Sequence, residues 1–302
     1  MKIDVEFPSY EGSLTLRGTT YLPDNASTPV PALIATHGFG DVAARLEPVA
    51  ESFAARGFGV LVYDHRNFGV SDGEPRQEVD PIAQCRDMQM ALTFAQSLEG
   101  FDPDRIGLWG TSFSGAHVLA VAGLDKRVKA VVSQAPWIAG YETALRLGGQ
   151  AGLKVFEAML NAERRELLKG EKPSLSTIAR RLDDPANGFA LFANDEGYDY
   201  LMNGPMGVPE TWKNSFTTRS LAYALEYDVR PLAKRISPTP LMMILPSKDV
   251  TMPSDLSLEF FASALEPKEL VLLDGGHYNV YLPGHGFEES IKAATRWFSK
   301  HL

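Results

Sequence analysis

Short apolar runs alternate with amphipathic segments along much of this 302-residue chain, and this alternation is the feature that most limits how it can fold. The runs are nearly continuous in apolar residues, which is typical of strands buried on both faces of a parallel sheet. They are PALIAT (31–36), GVLVYD (59–64), RIGLW (105–109), VKAVVSQAP (128–136), PLMMILPSKD (240–249) and KELVLLDGGH (268–277). Strands that alternate with helices predict an α/β fold, with a mostly parallel central sheet flanked by helices.

Two segments depart from this alternation. The first 30 residues alternate apolar and polar positions between Gly and Pro, which predicts a pair of antiparallel strands. From 138 to 236 the pattern is helical and contains no buried-strand run. We therefore predict a core formed by residues 1–137 and 237–302, with residues 138–236 inserted as a helical cap.

The composition restricts the partners and the compartment. A formal charge of −9 argues against nucleic acid as a partner, because binding to phosphates needs a basic face. No apolar run approaches the roughly 18 residues of a membrane span, and the first residues lack the apolar stretch of a signal peptide. The single cysteine, Cys85, excludes an internal disulfide and fits a reducing compartment. We expect a soluble, cytoplasmic protein.

The stretch GTSFSG (110–115) lies between a predicted strand and a predicted helix, which is the setting of a nucleophile elbow. In such a turn the residues two before and two after the nucleophile approach closely, so both must be small. For Ser112 these neighbours are Gly110 and Ser114. For Ser114 they would be Ser112 and Ala116, but the glycine that lets the strand bend would come too early. We predict Ser112 as the nucleophile.

A serine hydroxyl becomes a good nucleophile when a base takes its proton and an acid orients that base. His277 follows the last strand run in a glycine-bounded loop, and Asp249 follows the preceding run. We predict His277 as the base and Asp249 as the acid. Asp274 is closer to His277 in sequence, but it belongs to the strand end and should point elsewhere.

Acyl transfer also needs hydrogen-bond donors for the oxyanion. The turn HGFG (37–40) follows the first buried strand, and the backbone N–H of Phe39 is the first predicted donor. The second is the N–H of Phe113, at a helix N-terminus whose dipole favours a negative charge. Turn, elbow, acid and base all follow predicted strands, at the sheet edge where open α/β sheets place their sites.

Other residues suggest a pocket but no cofactor. Trp137 follows a strand end and is the predicted substrate contact, in a pocket lined by apolar and aromatic side chains. His117 is predicted to pack against the sheet rather than to take part in catalysis. No pair of histidines has metal-ligand spacing, and no glycine-rich nucleotide loop occurs, so we predict neither a metal nor a nucleotide cofactor.

These motifs together make the chain resemble the α/β-hydrolase family over nearly its whole length. The resemblance rests on HGFG, YDHRNFGVSDG, GTSFSG, PSKDVTMP and DGGH, which occur in the family's order and spacing. The order Ser112, Asp249, His277 is the family's order for its triad. Asp64 and Arg66 match a loop in which the family's aspartate and arginine are mostly structural. Ser114 stands where the family more often has glycine.

More narrowly, the chain resembles capped carboxylesterases, dienelactone-hydrolase-like proteins and fungal polyketide acyltransferases. The resemblance implies a cofactor-independent serine hydrolase that opens a small-molecule ester, thioester or lactone through an acyl-enzyme. An acyltransferase with the same triad is the alternative. A hydrolase of C–C bonds and a catalytically silent binding protein are weaker alternatives. A homodimer is possible, and the sequence does not determine the oligomeric state.

Overall fold

A central β-sheet organises the fold in a computed structural model that describes residues 1–24, 29–184 and 188–302. The strands described are, in chain order, β1 (Lys2–Pro8), β2 (Thr15–Tyr21), β3 (Val30–Thr36), β4 (Gly59–Tyr63), β5 (Phe101–Thr111), β6 (Ala130–Gln134), β7 (Leu175–Arg180), β8 (Ala190–Ala193), β9 (Phe216–Thr217), β10 (Leu241–Pro246) and β11 (Lys268–Leu273). The central sheet has the order β1-β2-β4-β3-β5-β6-β10-β11. Its first two pairings, β1 with β2 and β2 with β4, are antiparallel, and the pairings from β4 to β11 are parallel. The predicted α/β class and the antiparallel N-terminal pair are confirmed.

Helices cover both faces of this sheet. They are α1 (Glu47–Ala54), α2 (Pro81–Ser97), α3 (Phe113–Leu124), α4 (Gly140–Leu168), α5 (Asp195–Asn203), α6 (Ser220–Glu226), α7 (Ser254–Ser263) and α8 (Phe287–His301). Apolar residues of α1 and α8 form one hydrophobic core with the sheet, and those of α2, α3 and α7 belong to the other. Successive strand residues alternate between these cores: Leu241 and Met243 enter one, Met242 and Ile244 the other. This period of two explains why the inner strands read as continuous apolar runs.

The edge strand β11 is not buried on both faces, although its apolar run predicted that it would be. Leu272 is 58% exposed, and most residues of this strand are only half-buried. Its apolar run resembles that of β10, in which every residue is buried. The difference arises because β11 pairs with β10 alone and lies at the end of the sheet, which the local sequence does not reveal.

The segment between β6 and β10 contributes no described strand to the central sheet. It contains α4, α5 and α6, but it is not helical throughout as the predicted helical cap would be, because β7, β8 and β9 form a small three-stranded sheet in it. These strands have two to six residues, too few to show a clear period of two. The division into a core and an inserted cap stays a prediction.

Two negative findings hold within the ranges 1–24, 29–184 and 188–302. No helix there is both long and apolar enough to span a membrane. No cluster of three or more His, Cys, Asp or Glu side chains in those ranges has a geometry that could hold a metal ion.

Candidate active site

Ser112 occupies a sharp turn between the end of β5 and the start of α3. Its backbone has φ 55° and ψ −122°, a strained conformation for a residue with a side chain. A Cβ on Gly110 would lie 2.2 Å from the carbonyl oxygen of Ser114, so only glycine fits there. The Ser112 carbonyl accepts hydrogen bonds from the N–H groups of Gly115, at 2.9 Å, and Trp137, at 3.1 Å. The turn therefore holds Ser112 as the elbow motif predicts.

The two serines of this motif point to different places. Ser112 lines a cavity, whereas Ser114 is 1% exposed and is not part of the cavity wall. The Ser114 hydroxyl lies 3.0 Å from Nε2 of the buried His65. Ser114 thus has a partner in the protein interior, and only Ser112 faces a space that a ligand could enter.

Ser112, His277 and Asp249 form a hydrogen-bonded relay. His277 Nε2 lies 3.2 Å from Ser112 Oγ, and His277 Nδ1 lies 2.7 Å from Asp249 Oδ2. Asp249 Oδ1 accepts the backbone N–H groups of Thr251, at 2.9 Å, and Met252, at 2.7 Å. Because a carboxylate accepts, the proton is assigned to Nδ1, which leaves the Nε2 lone pair for the serine hydroxyl. Three residues from distant parts of the chain are thereby brought together.

Asp274 lies outside this relay. Its side chain is 82% exposed and forms an ion pair of 2.8 Å with Lys248. The Lys248 ammonium also lowers the pKa of the Asp274 carboxyl below its usual value. The sequence-based choice of Asp249 over Asp274 agrees with this geometry.

The turn after β3 presents the amide of Phe39 beside Ser112. The Gly38 carbonyl accepts a hydrogen bond from His37 Nδ1, at 3.1 Å, and one from the Asp41 N–H, at 3.3 Å. In a trans peptide the carbonyl and the N–H point in opposite directions, so the Phe39 N–H is directed away from these donors. A Cβ on Gly38 would lie 3.1 Å from Ser112 Cβ, which shows how closely the turn approaches the serine.

The amides of Phe39 and Phe113 are the two predicted oxyanion donors, and of these two residues only Phe39 lines the cavity at Ser112. Neither N–H donates to another residue within the described part of the chain. The two phenyl rings pack edge to face at 5.2 Å and are buried, so the turn and the start of α3 support each other. Two unpaired donors next to Ser112 are the arrangement predicted for an oxyanion site.

A cavity of about 110 Å³ opens at Ser112 and His277. Its wall is mainly apolar and aromatic, as predicted, and it draws residues from both the core and the segment between β6 and β10. The apolar and aromatic lining includes Phe39, Leu46, Val49, Phe192, Tyr200, Leu201, Met206, Tyr278, Tyr281 and Phe287. This composition suits an organic group with little charge.

Trp137 does not line this cavity, so its predicted contact with substrate finds no support. Its side chain is 4% exposed, and its ring packs on that of Phe113, with 5.6 Å between the ring centroids. Its backbone N–H donates to the carbonyl oxygen of Ser112. Ala135 has a positive φ of 45°, and Pro136 would be 2.9 Å from a Cβ on Gly115. The chain after β6 therefore turns over the start of α3, and Trp137 supports the elbow from behind.

Two tyrosines missed by the sequence reading line the cavity directly after His277. The Tyr281 hydroxyl lies 2.6 Å from Thr111 Oγ1, one residue before the elbow serine. The rings of Tyr278 and Tyr281 lie 5.0 and 5.9 Å from the His277 ring. The signal was present in HYNVY (277–281), where aromatic residues follow the histidine in a short helical turn.

Asp64 and Arg66 have structural partners, as the resemblance implied. The Asp64 carboxylate accepts the backbone N–H groups of Ala43, at 2.7 Å, and Val70, at 2.8 Å. Arg66 forms two hydrogen bonds of 2.6 Å with the buried Asp87. These contacts tie the loop after β4 to α2 and to Ala43, shortly after the HGFG turn. Neither the Asp64 nor the Arg66 side chain lines the cavity.

His117 is buried in α3, away from the cavity, as predicted. Its Nε2 lies 3.0 Å from Gln84 Oε1, and its Nδ1 lies 3.1 Å from the Tyr227 hydroxyl. Burial lowers the pKa of His117 to about 3 and holds the pKa of His65 well below its usual value. Both imidazoles are therefore neutral in the folded protein around neutral pH.

We expect acid to destabilise the fold, because the folded protein buries His65 and His117 in their neutral forms. In the unfolded chain they bind protons near the ordinary pKa of 6.5, whereas the folded protein excludes those protons. The free energy of unfolding should therefore decrease as the pH falls below 6.5, and His117 should contribute about 1.4 kcal/mol per pH unit until its folded pKa near 3. Urea unfolding followed by tryptophan fluorescence at a series of pH values measures this dependence.

The variant His117→Gln is the control for that measurement. It should be less stable than the wild type around pH 8, because it disturbs the contacts with Gln84 and Tyr227. It should also lose less stability per pH unit on acidification, because its position 117 no longer titrates. Equal pH slopes for the two proteins would contradict the assignment of a neutral, buried His117.

The chain is similar to a known protein family and to several known proteins. A family model described as alpha/beta hydrolase fold matches residues 31–283. A thiohydrolase, aneE from Aspergillus aculeatus, is 33% identical over 300 residues, which cover 97% of this chain and 92% of that protein. The quorum-quenching protein AidA from Acinetobacter baumannii is 32% identical and covers 96% of this chain and 92% of its own length.

A third relative is similar in both sequence and structure. The polyketide transferase grgF from Penicillium sp. is 34% identical over 276 residues, which cover 91% of this chain and 88% of that protein. The crystal structure of the alpha/beta hydrolase GrgF from Penicillium sp. sh18 superposes with a TM-score of 0.83 at 30% identity. That superposition covers 100% of this chain and 99% of the other.

Proposed function

The chain belongs to the alpha/beta hydrolase fold family, and on that premise we propose that it is a cofactor-independent serine hydrolase that cleaves a small-molecule thioester or ester through an acyl-enzyme. The observation that carries the proposal is the relay from Ser112 through His277 to Asp249, with both hydrogen bonds formed and with Ser112 and His277 in the wall of a mainly apolar cavity. The thioester is named first because a relative 33% identical over nearly the whole chain is called a thiohydrolase.

The first half of the reaction forms the acyl-enzyme. Ser112 Oγ attacks the substrate carbonyl carbon while its proton passes to His277 Nε2. Asp249 holds the Nδ1 proton in place and stabilises the imidazolium that forms. The carbonyl oxygen becomes an oxyanion that accepts hydrogen bonds from the N–H groups of Phe39 and Phe113. When the tetrahedral intermediate collapses, the bond to the thiol or alcohol breaks, and His277 gives its proton to that leaving group.

The second half releases the acid. A water molecule gives a proton to His277 Nε2 and attacks the carbonyl carbon of the acyl group that is bound to Ser112 Oγ. The same two amides stabilise the second oxyanion, and collapse returns the proton to Ser112 Oγ as the carboxylic acid leaves. The acyl chain is expected to occupy the cavity lined by Tyr200, Leu201 and Met206.

A direct test uses matched thioesters and oxygen esters of the same acyl group. N-acetylcysteamine thioesters release a thiol that a disulfide dye detects, and p-nitrophenyl esters release a coloured phenol. We expect saturable release from both series and a transient mass increase on the peptide that contains Ser112. No turnover of any member, together with no labelling by a fluorophosphonate, would contradict the proposed function.

Acyl transfer to an alcohol is the second candidate, favoured by the likeness to the polyketide transferase grgF. It uses the same acyl-enzyme and differs only in what attacks that intermediate. Adding primary alcohols to the thioester assay separates the two: a hydrolase forms mostly acid, whereas a transferase forms mostly the new ester and is accelerated by the alcohol. The ratio of the two products decides between them.

A further inference from the structure

Two charged side chains, Asp41 and Arg45, face the cavity beside the proposed oxyanion turn. Arg45 Nε lies 2.8 Å from Asp41 Oδ1, and the side chains are 2% and 13% exposed. The cavity wall contains no other Asp, Glu, Lys or Arg within the described part of the chain. The two opposite charges therefore leave the wall without a net charge.

Three of the five N–H donors of the Arg45 guanidinium have acceptors within the protein. Beyond Asp41, the guanidinium donates to the carbonyl oxygens of Leu201, at 2.7 Å, and Gly207, at 3.2 Å. Arg45 Cζ also lies over the rings of Tyr200 and Trp212, at 5.8 and 5.2 Å from the ring centroids. Arg45 thus connects Asp41, directly after the HGFG turn, to the part of the cavity wall formed by α5 and the loop that follows α5.

Among the described residues, the rest of the cavity wall offers no charged partner to a charged group on the substrate. An ionised carboxylate on the acyl chain would lose its water and find a cation already paired, which is unfavourable in a mostly apolar site. An uncharged chain or ring would lose no comparable hydration and would pack against Leu201, Met206 and the aromatic rings.

We propose that the ion pair of Asp41 and Arg45 makes this site select uncharged acyl groups, and that Asp41 is the residue that prevents Arg45 from binding an acidic acyl chain. This inference rests on the proposed function, because it concerns the acyl group that Ser112 receives. It identifies a specificity determinant that does not touch the reacting atoms.

The test compares two thioesters of N-acetylcysteamine, octanoyl and its ω-carboxylate analogue, the suberoyl half-thioester. For the wild type, kcat/KM should favour octanoyl by at least about tenfold. Asp41→Asn keeps an acceptor for Arg45 but leaves the cation uncompensated, so the preference should shift toward the suberoyl substrate by roughly tenfold or more. Burial raises the pKa of the Asp41 carboxyl, so the assays are run at about pH 8, where the ionised form is favoured.

A second variant should move the preference in the opposite direction. Arg45→Met removes the cation and leaves the Asp41 carboxylate, so discrimination against suberoyl should increase. General loosening of the wall would move both variants the same way, and that result would overturn the inference. If Arg45→Met does not fold, the shift in Asp41→Asn alone decides.

Asp255→Asn is the matched control, since it removes an aspartate from an exposed pair with Arg146, and neither residue belongs to the cavity wall. It should leave the substrate ratio unchanged. Equal kcat/KM for the two substrates in the wild type would overturn the inference while leaving the proposed function intact. Turnover of neither substrate, nor of any shorter thioester, would instead count against the proposed function.

Discussion

Ser112→Ala is expected to reduce thioester turnover by roughly 10⁴- to 10⁶-fold, because removal of the nucleophile leaves only binding and the oxyanion donors. The neighbouring serine supplies the control. Ser114→Ala removes a hydrogen bond to the buried His65 and should cost about 1–3 kcal/mol of stability, with turnover changed by less than about tenfold.

The two variants should also differ in covalent labelling. A fluorophosphonate should modify Ser112 in the wild type and in Ser114→Ala, and mass spectrometry of the labelled peptide identifies the site. Ser112→Ala should remain unlabelled. Modification of Ser114, or near-normal turnover in Ser112→Ala, would show that the elbow presents a different nucleophile from the one proposed.

Asp249→Asn should lower kcat by about 10⁴-fold while the fold stays intact. An asparagine can still accept a hydrogen bond, but it also offers an N–H₂ donor that favours the His277 tautomer with the proton on Nε2. That tautomer cannot accept the Ser112 proton, so the relay fails at its first step. The measurement is kcat from steady-state thioester turnover, with unfolding by urea as a check of stability.

Asp274→Asn is the comparison for this substitution. Asp274 is exposed and paired with Lys248 at the surface, so its replacement should change kcat by less than about twofold. A large loss in Asp274→Asn together with a small loss in Asp249→Asn would reverse the proposed roles of the two aspartates.

Local patterns were sufficient to predict much of the site. Gly110 and Ser114 bracket Ser112 at the spacing that a strand-to-helix turn requires, and Asp249 and His277 each follow an apolar strand run. Parallel strands end at one edge of a sheet, so residues at their ends are brought together even when they are far apart in the chain. The relay of 2.7 and 3.2 Å in the structure agrees with that reasoning.

Other features depended on contacts that no local pattern describes. Arg45 lies four residues after Asp41, but nothing in the local sequence indicates that its guanidinium is buried and donates to the carbonyl of Leu201, more than 150 positions away. Trp137 was placed correctly at a strand end, but the turn at Ala135 directs it behind the elbow. The strands β7, β8 and β9 are too short to produce a period that could be recognised.

The sequence by itself determined the α/β class, the positions of the buried strands along the chain and the positions of Ser112, Asp249 and His277 at strand ends. These follow from hydrophobic periodicity and from small residues at fixed spacing, which are local properties of the chain. Only the tertiary structure decided which side chains form the cavity wall and which charges there compensate each other. That outcome depends on packing between segments far apart in sequence, where the partner of each buried polar group is set by the fold as a whole.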